Sequence, residues 1–296
     1  MSGILSYGGR TDRARTVLVY GNCQAPFMAH MLSALDDLND DYRFVYAPNM
    51  VVPGDESALE VPDEDLRDVA LVLWQFEDRA NNPAAVALRA RLPTGVPVLT
   101  FPSFVLNCLW PFICPEPRGQ PEPAYPWKRY PLGDMIALQI AQSGLRGPIA
   151  VAAYLDLSAR KMPNLQVRLE RDLAQMRHYD TQCDVQLADY ALENFRDQHL
   201  FWTNGHLSPA GVTELARRVA NVARPFLGGT PARMESCFAA AQDVAVMGNV
   251  QLPIHPIVAE TLGLRFWQHD LLYQWGPERW TFYDYMERYI AYDTNW

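Results

Sequence analysis

No run of Lys or Arg breaks up this acidic chain. Its 296 residues carry a formal net charge of −9. A nucleic-acid partner, which needs a basic stripe, is therefore not expected. Nowhere do about 20 apolar residues follow one another, so no membrane span is expected. The N-terminus, Met1 to Arg10, lacks the apolar run of a signal peptide. Together these absences read as a cytoplasmic protein. The five cysteines, Cys23, Cys108, Cys114, Cys183 and Cys237, are odd in number, irregularly spaced and without a C-x-x-C pair. That speaks against a secreted disulfide framework. No histidine has a second ligand at i+4, so no metal is expected. There is no internal repeat. Neither a Walker nor a dinucleotide pattern follows Gly21, which leaves a phosphate cradle at that turn a weak idea.

What the chain does have is enough length and apolar content, 49%, for one large α/β domain with or without an appendage. Strands are expected at Thr16–Tyr20, Tyr42–Ala47, Val69–Trp74 and Val96–Phe101, with a short last one at Leu200–Thr203. The run Val69–Trp74 is continuously apolar, the mark of a strand buried on both faces of a parallel sheet. Helical spacing covers Gln24–Leu38, Asn82–Leu92, Gly133–Ser143, Asn164–Arg177 and Asp184–Asp197. Ser208 followed by Pro209 opens another over Ser208–Phe226. Strands alternating with helices imply a parallel α/β sheet flanked by helices. Residues 1–14 read as a flexible lead-in, 15–230 as the α/β catalytic domain, and 231–296 as a helical, aromatic-rich C-terminal extension. Its aromatics, Trp275, Trp280 and Tyr289 among them, suit packing on the core or on a second subunit, with sugar stacking as the sharper alternative. Between residues 110 and 131 proline and aromatics alternate too densely for helix or central strand. That segment is either a rigid cover or a binding element.

Chemistry concentrates at two places. Strand one ends in Gly21-Asn22-Cys23-Gln24, so Cys23 stands at a strand-to-helix turn on the rim where α/β folds bind ligands. A helix N-terminus favours a thiolate there. Far downstream, Thr203-Asn-Gly-His206 ends the last strand. If the two turns share a rim, His206 is the general base and Cys23 the nucleophile. Oxyanion donors on offer are the backbone N–H groups of Cys23 and Gln24 and the side-chain amides of Asn22, Gln75 and Asn107.

These motifs, with Phe101-Pro-Ser103-Phe-Val-Leu-Asn107, Gly133-Asp134 and the stretch Cys183 to Arg196, resemble the WcbI family of capsular polysaccharide biosynthesis over about residues 16–215. The resemblance implies an SGNH-like, flavodoxin-like fold, coenzyme A binding, acetyl-CoA as donor and a sugar acceptor. On that basis Cys23 and His206 form a dyad, and Gln75 falls where SGNH enzymes keep an oxyanion amide. Thr203 stands three residues before the histidine, where those enzymes have Asp; as a positioning residue it can orient the imidazole only weakly, so a full triad is not expected. Arg79, Lys128 and Arg129, with Ser103, are the candidates for holding coenzyme A. The reading is an acetyl-CoA-dependent O-acetyltransferase, with a thiol esterase or deacetylase, and a non-catalytic coenzyme A or carbohydrate binder, as alternatives. A homo-oligomer through the extension is a further expectation.

Overall fold

The computed structural model describes residues 3–9, 11, 13–49, 60–76, 82–120, 122–123, 125, 128–241 and 249–292. The chain begins with β1 (Leu5–Gly8), β2 (Arg15–Gly21), α1 (Ala25–Ser33), α2 (Asp36–Asn39), β3 (Tyr42–Pro48), α3 (Asp63–Arg67), β4 (Val69–Gln75), α4 (Pro83–Arg91) and β5 (Val98–Phe101). A small hairpin follows, β6 (Ile113–Pro115) with β7 (Leu132–Asp134), and then α5 (Met135–Gln142), α6 (Gly147–Lys161), α7 (Leu165–Asp180), α8 (Ala188–Asn194) and α9 (Pro209–Leu227). The last part holds α10 (Pro231–Ala240), α11 (Pro256–Leu262), β8 (Tyr273–Trp275), β9 (Glu278–Trp280) and α12 (Phe282–Ala291).

The central sheet has the order β1-β3-β2-β4-β5. Strands β3, β2, β4 and β5 are parallel, and β1 joins β3 antiparallel. The chain leaves β2 toward β3 on one side and returns to β4 on the other. Loops at the carboxyl ends of β2 and β4 therefore part, and the crevice between them is the usual ligand position in such sheets. β2 and β4 are buried almost throughout, as the unbroken apolar run of β4 requires. One face of the sheet carries Val17, Val19, Phe44, Tyr46, Leu71 and Leu73 against α1, α9 and the later helices. The other carries Leu18, Tyr20, Val45, Val72 and Trp74 in a smaller cluster with Leu66 and Leu88. The outer edge of β5 is closed by Asp184, whose carboxylate accepts from Thr100 N and Oγ1 at 2.7 and 2.8 Å. An edge so capped does not recruit a further strand.

Three expectations change. The lead-in over residues 1–14 contributes β1, because alternation in Leu5–Gly8 lets it add to the free edge of β3. The last strand at Leu200–Thr203 is instead one limb of a tight turn, with a single bridge between Phe201 and Leu207. The helix α6, absent from the sequence reading, occupies 15 residues. Its Gly and Pro start and Ala-rich, weakly periodic face hide it. Residues 50–59 and the candidate Arg79 lie outside the described residues.

The C-terminal extension turns its aromatics inward. Tyr273, Trp275, Trp280, Phe282, Tyr285 and Tyr289 are buried in the same core cluster as α5 and α6. The Pro-rich segment is fastened to it. Arg118 and Glu116, both with fully buried side chains, form an ion pair at 2.8 Å. Arg118 Nη1 also donates to the carbonyls of Tyr289 and Tyr292 at the end of α12. Burial pushes the Glu116 carboxyl up, but hydrogen bonds from Arg118 and Tyr289 outweigh it and hold it below the ordinary range. Next to this network Asp134 caps α5, accepting from Ile136 N and Ala137 N, and receives the Tyr154 hydroxyl at 2.9 Å.

Candidate active site

The turn after β2 is built on Gly21. A Cβ placed there would stand 2.8 Å from Gln75 Oε1 and 2.9 Å from the Cβ of Ala25, so only glycine lets β4's end and α1's start approach this closely. Asn22 then organises the turn. Its N–H donates to Gln75 Oε1 at 2.6 Å, its Nδ2 donates to Ser103 Oγ at 3.0 Å, and its Oδ1 accepts Gln24 N at 2.9 Å. Cys23 follows, partly buried and packed against the core, just ahead of α1.

Gln24 is 0% exposed. Its Nε2 donates to the Phe104 carbonyl at 2.7 Å and to the Gly205 carbonyl at 2.9 Å, and its Oε1 accepts Phe104 N at 3.0 Å. One side chain thus clamps the turn carrying Cys23 to the segment after β5 and to the turn carrying His206. A second tie joins the latter two, with Leu106 N donating to Asn204 O at 3.1 Å and Asn204 Nδ2 to Asn107 Oδ1 at 3.2 Å. The His206 turn is itself tight: Trp202 N donates to His206 O at 2.8 Å and Ser208 N to Leu200 O at 2.9 Å. Ser208 caps α9, and Gly211 lets that helix pass Leu200, since a Cβ there would meet Leu200 O at 2.6 Å.

The residues singled out from sequence divide accordingly. Asn22, Gln24, Gln75, Ser103 and the turn bearing His206 are joined at the carboxyl rim. Thr203 works differently from expectation. Its hydroxyl accepts His206 N at 3.0 Å and Gly205 N at 3.4 Å, so it shapes the turn and does not orient the imidazole. Asn107 is likewise occupied: its backbone N–H and its Nδ2 donate to Asp172 at 2.8 and 3.4 Å, and its Oδ1 accepts from Asn204 Nδ2, which makes it a strut between α7 and the His206 turn. Gln24 N, an expected oxyanion donor, is taken by Asn22 Oδ1, which closes an Asx turn. The side chains of Lys128 and Arg129 are engaged within the Pro-rich segment. Lys128 Nζ reaches Glu116 O at 3.4 Å, Arg129 pairs with Glu122, and its carbonyl receives Trp275 Nε1 at 3.0 Å. Asp172, Tyr46 and the clamping role of Gln24 escaped the sequence reading. Only Tyr46 carried a signal: strand alternation puts it on the face that α1 covers.

Gln75 is 0% exposed, and its Nε2 has no hydrogen-bond partner. A buried amide donor left idle beside the Cys23 turn is uncommon, since such groups cost free energy unless something uses them. The thiol is not held low as the helix start led one to expect. Burial pushes Cys23 up, and its own backbone N–H offsets this only in part. Burial also lowers His206, so its imidazole is neutral at pH 7 and able to accept a proton. No hydrogen bond joins the imidazole to another described residue. Among the described residues no cluster of His, Cys, Asp and Glu forms a metal site, and no helix is long and apolar enough to cross a membrane.

The parallel-rich α/β sheet, flanked by helices, thus carries a thiol turn and a histidine turn bound together at its carboxyl rim. The family model described as polysaccharide biosynthesis enzyme WcbI matches residues 16–224, and the chain belongs to that family. A solved WcbI structure, described as a novel polysaccharide biosynthesis enzyme in its native form without a disulfide bond between coenzyme A and one of its cysteines, superposes with a TM-score of 0.70 at 19% identity. The match covers 94% of this chain and 89% of that one, so the extension belongs to the shared fold. No curated protein matches the chain.

Proposed function

We propose that the protein is an acetyl-CoA-dependent O-acetyltransferase acting on a sugar of a polysaccharide precursor, on an SGNH-like plan. The observation that carries the reading is the clamp through Gln24, which ties the Cys23 turn to the His206 turn beside an idle buried donor, Gln75 Nε2. The coenzyme A mentioned for the WcbI neighbour supports a thioester donor.

In this mechanism the Cys23 thiol gives its proton to neutral His206, and the sulfur attacks the acetyl carbonyl. Negative charge then develops on the carbonyl oxygen, where Gln75 Nε2 and Cys23 N–H serve as donors. The carbon–sulfur bond to coenzyme A breaks, and its thiolate takes the proton from His206. In the second half the acceptor hydroxyl gives its proton to His206 as its oxygen attacks acetyl-Cys23. The sulfur departs with the electron pair. Exchange of one thioester for another costs little, and passage of acetyl to oxygen runs downhill. Ser103 keeps a free hydroxyl hydrogen for the pantetheine arm. Lys128, against Glu116 of its own segment, and Arg129, paired with Glu122, are poorly disposed toward the phosphates, and Arg79, outside the described residues, is the cation we assign to them.

Intact-protein mass spectrometry after mixing with acetyl-CoA tests this. The expected result is one acetyl adduct, mapped to Cys23, lost in Cys23→Ala and discharged by a sugar acceptor. No adduct under acid quench, or rapid acetate release without acceptor, counts against transfer.

A further inference from the structure

Tyr46 lies outside the site as sequence defines it, yet the fold delivers it there. It pairs with Val19 across the β2–β3 ladder, so its ring lies on the α1 face, in the cluster against which Cys23 packs. The residue is 2% exposed. Its hydroxyl approaches Asn22 O at 3.5 Å, the outer limit of a hydrogen bond. That carbonyl already accepts Ala25 N at 3.0 Å. A buried hydroxyl therefore stands beside the very peptide that carries the nucleophile, with its hydrogen loosely held. A phenylalanine would fill the same space without burying an oxygen. Burial first, then charge on Cys23 and on Tyr7, drives the Tyr46 phenol far above its ordinary range. It is a permanent donor, unable to act as a base.

We propose that the Tyr46 hydroxyl is the donor that stabilises negative charge on the Cys23 sulfur, turning from the Asn22 carbonyl to Sγ when the sulfur is ionised. The assignment rests on Cys23 being the nucleophile. When the acceptor oxygen bonds to the acyl carbon, the carbon–sulfur bond breaks and its electron pair stays on Sγ. The acceptor's proton goes to His206, and Tyr46 keeps its own while donating a hydrogen bond. Among the described residues the titratable groups near the Cys23 turn are Tyr46 from β3, Tyr7 from β1, His30 of α1 stacked on Tyr7 at 4.7 Å, and His206 on the turn that Gln24 ties to it; the amino-terminal charge also acts on the thiol.

The test is the pH dependence of Cys23 alkylation by iodoacetamide, followed by peptide mass spectrometry in the full-length wild type and in Tyr46→Phe. The expected result is a midpoint about one pH unit higher in the variant, hence roughly tenfold slower labelling at a fixed pH below it, with the same plateau at high pH. An unchanged midpoint overturns the assignment. Should Tyr46→Phe not fold, 3-fluorotyrosine placed at position 46 alone gives a second readout. Its fluorine resonance is expected to step at the thiol midpoint and to lose that step in Cys23→Ser; no step in the Cys23 protein overturns the proposal. Because alkylation reads the sulfur directly, the two failures are distinguishable: an unmoved midpoint defeats the Tyr46 assignment, whereas a missing acetyl adduct defeats the transfer reading.

Discussion

Replacing Gln24 by Met isolates the clamp. Methionine keeps nearly the same volume and shape, so packing is preserved, while all three of the amide's hydrogen bonds go. Phe104 is 0% exposed, and its N–H and C=O both lose their partner. The Gly205 carbonyl, only partly buried, can rehydrate. Two orphaned buried backbone groups at roughly 1–3 kcal/mol each put the cost near 3 kcal/mol, a large share of the ~5–15 kcal/mol that holds a domain folded. Urea unfolding followed by tryptophan fluorescence reads this as a lower midpoint at unchanged slope. Gln24→Glu sharpens the case, because the new carboxylate faces two carbonyl oxygens and can donate to neither. Its folded pKa must rise above the unfolded value of ~4.3. The penalty is therefore full above the raised folded pKa and relieved as pH falls toward 4. Gln24→Glu is expected to be less stable than Gln24→Met at pH 8 and to close that gap at pH 5. Stability of Gln24→Met within about 0.5 kcal/mol of wild type would refute the clamp, as would a gap that does not move with pH.

Three other outcomes follow from the same coordinates. Gly21→Ala drives a methyl to 2.8 Å from Gln75 Oε1; a loss of about 2–3 kcal/mol is expected, with coenzyme A no longer raising the melting temperature in a thermal-shift titration. Asp134 is pushed up to about 6 by burial, despite the hydrogen bonds it accepts from Ala137, Tyr154 and Ile136. Its contribution is full below pH ~4 and lost as pH rises through about 6, so the stability of wild type relative to Asp134→Asn should fall by up to roughly 3 kcal/mol across that window in denaturant titrations. Arg118→Leu leaves the Glu116 carboxylate buried without its guanidinium and should cost about 3–5 kcal/mol, whereas the double change with Glu116→Leu should recover much of it in a double-mutant cycle.

The strand run, the thiol turn and the distant histidine were legible along the chain because each is a local pattern. An unbroken apolar stretch such as Val69–Trp74 can only be a doubly covered strand, Gly21-Asn22-Cys23 is a turn by composition, and Ser208-Pro209 is a helix start by capping chemistry. The roles of the polar residues were less legible, since a side-chain amide or hydroxyl takes its meaning from whichever partner the fold brings within 3 Å. Thr203 reads as a weak orienter of His206 until its hydroxyl is seen accepting from the backbone. Asn107 reads as an oxyanion donor until its Nδ2 is seen donating to Asp172. Lys128 and Arg129 read as phosphate ligands until Glu116, Glu122 and Trp275 engage them.

What the linear chain settled, then, is the inventory: a parallel-rich sheet, a cysteine at one strand end, a histidine ahead of the last long helix, and aromatics enough to close a core at the C-terminus. Which of these meet was decided in three dimensions. Gln24 lies 181 positions from Gly205 and 80 from Phe104, and Tyr46 reaches the Cys23 turn through strand order alone. Periodicity and capping act over a few residues, whereas hydrogen bonds between separate loops depend on the order in which strands assemble, which local patterns do not encode.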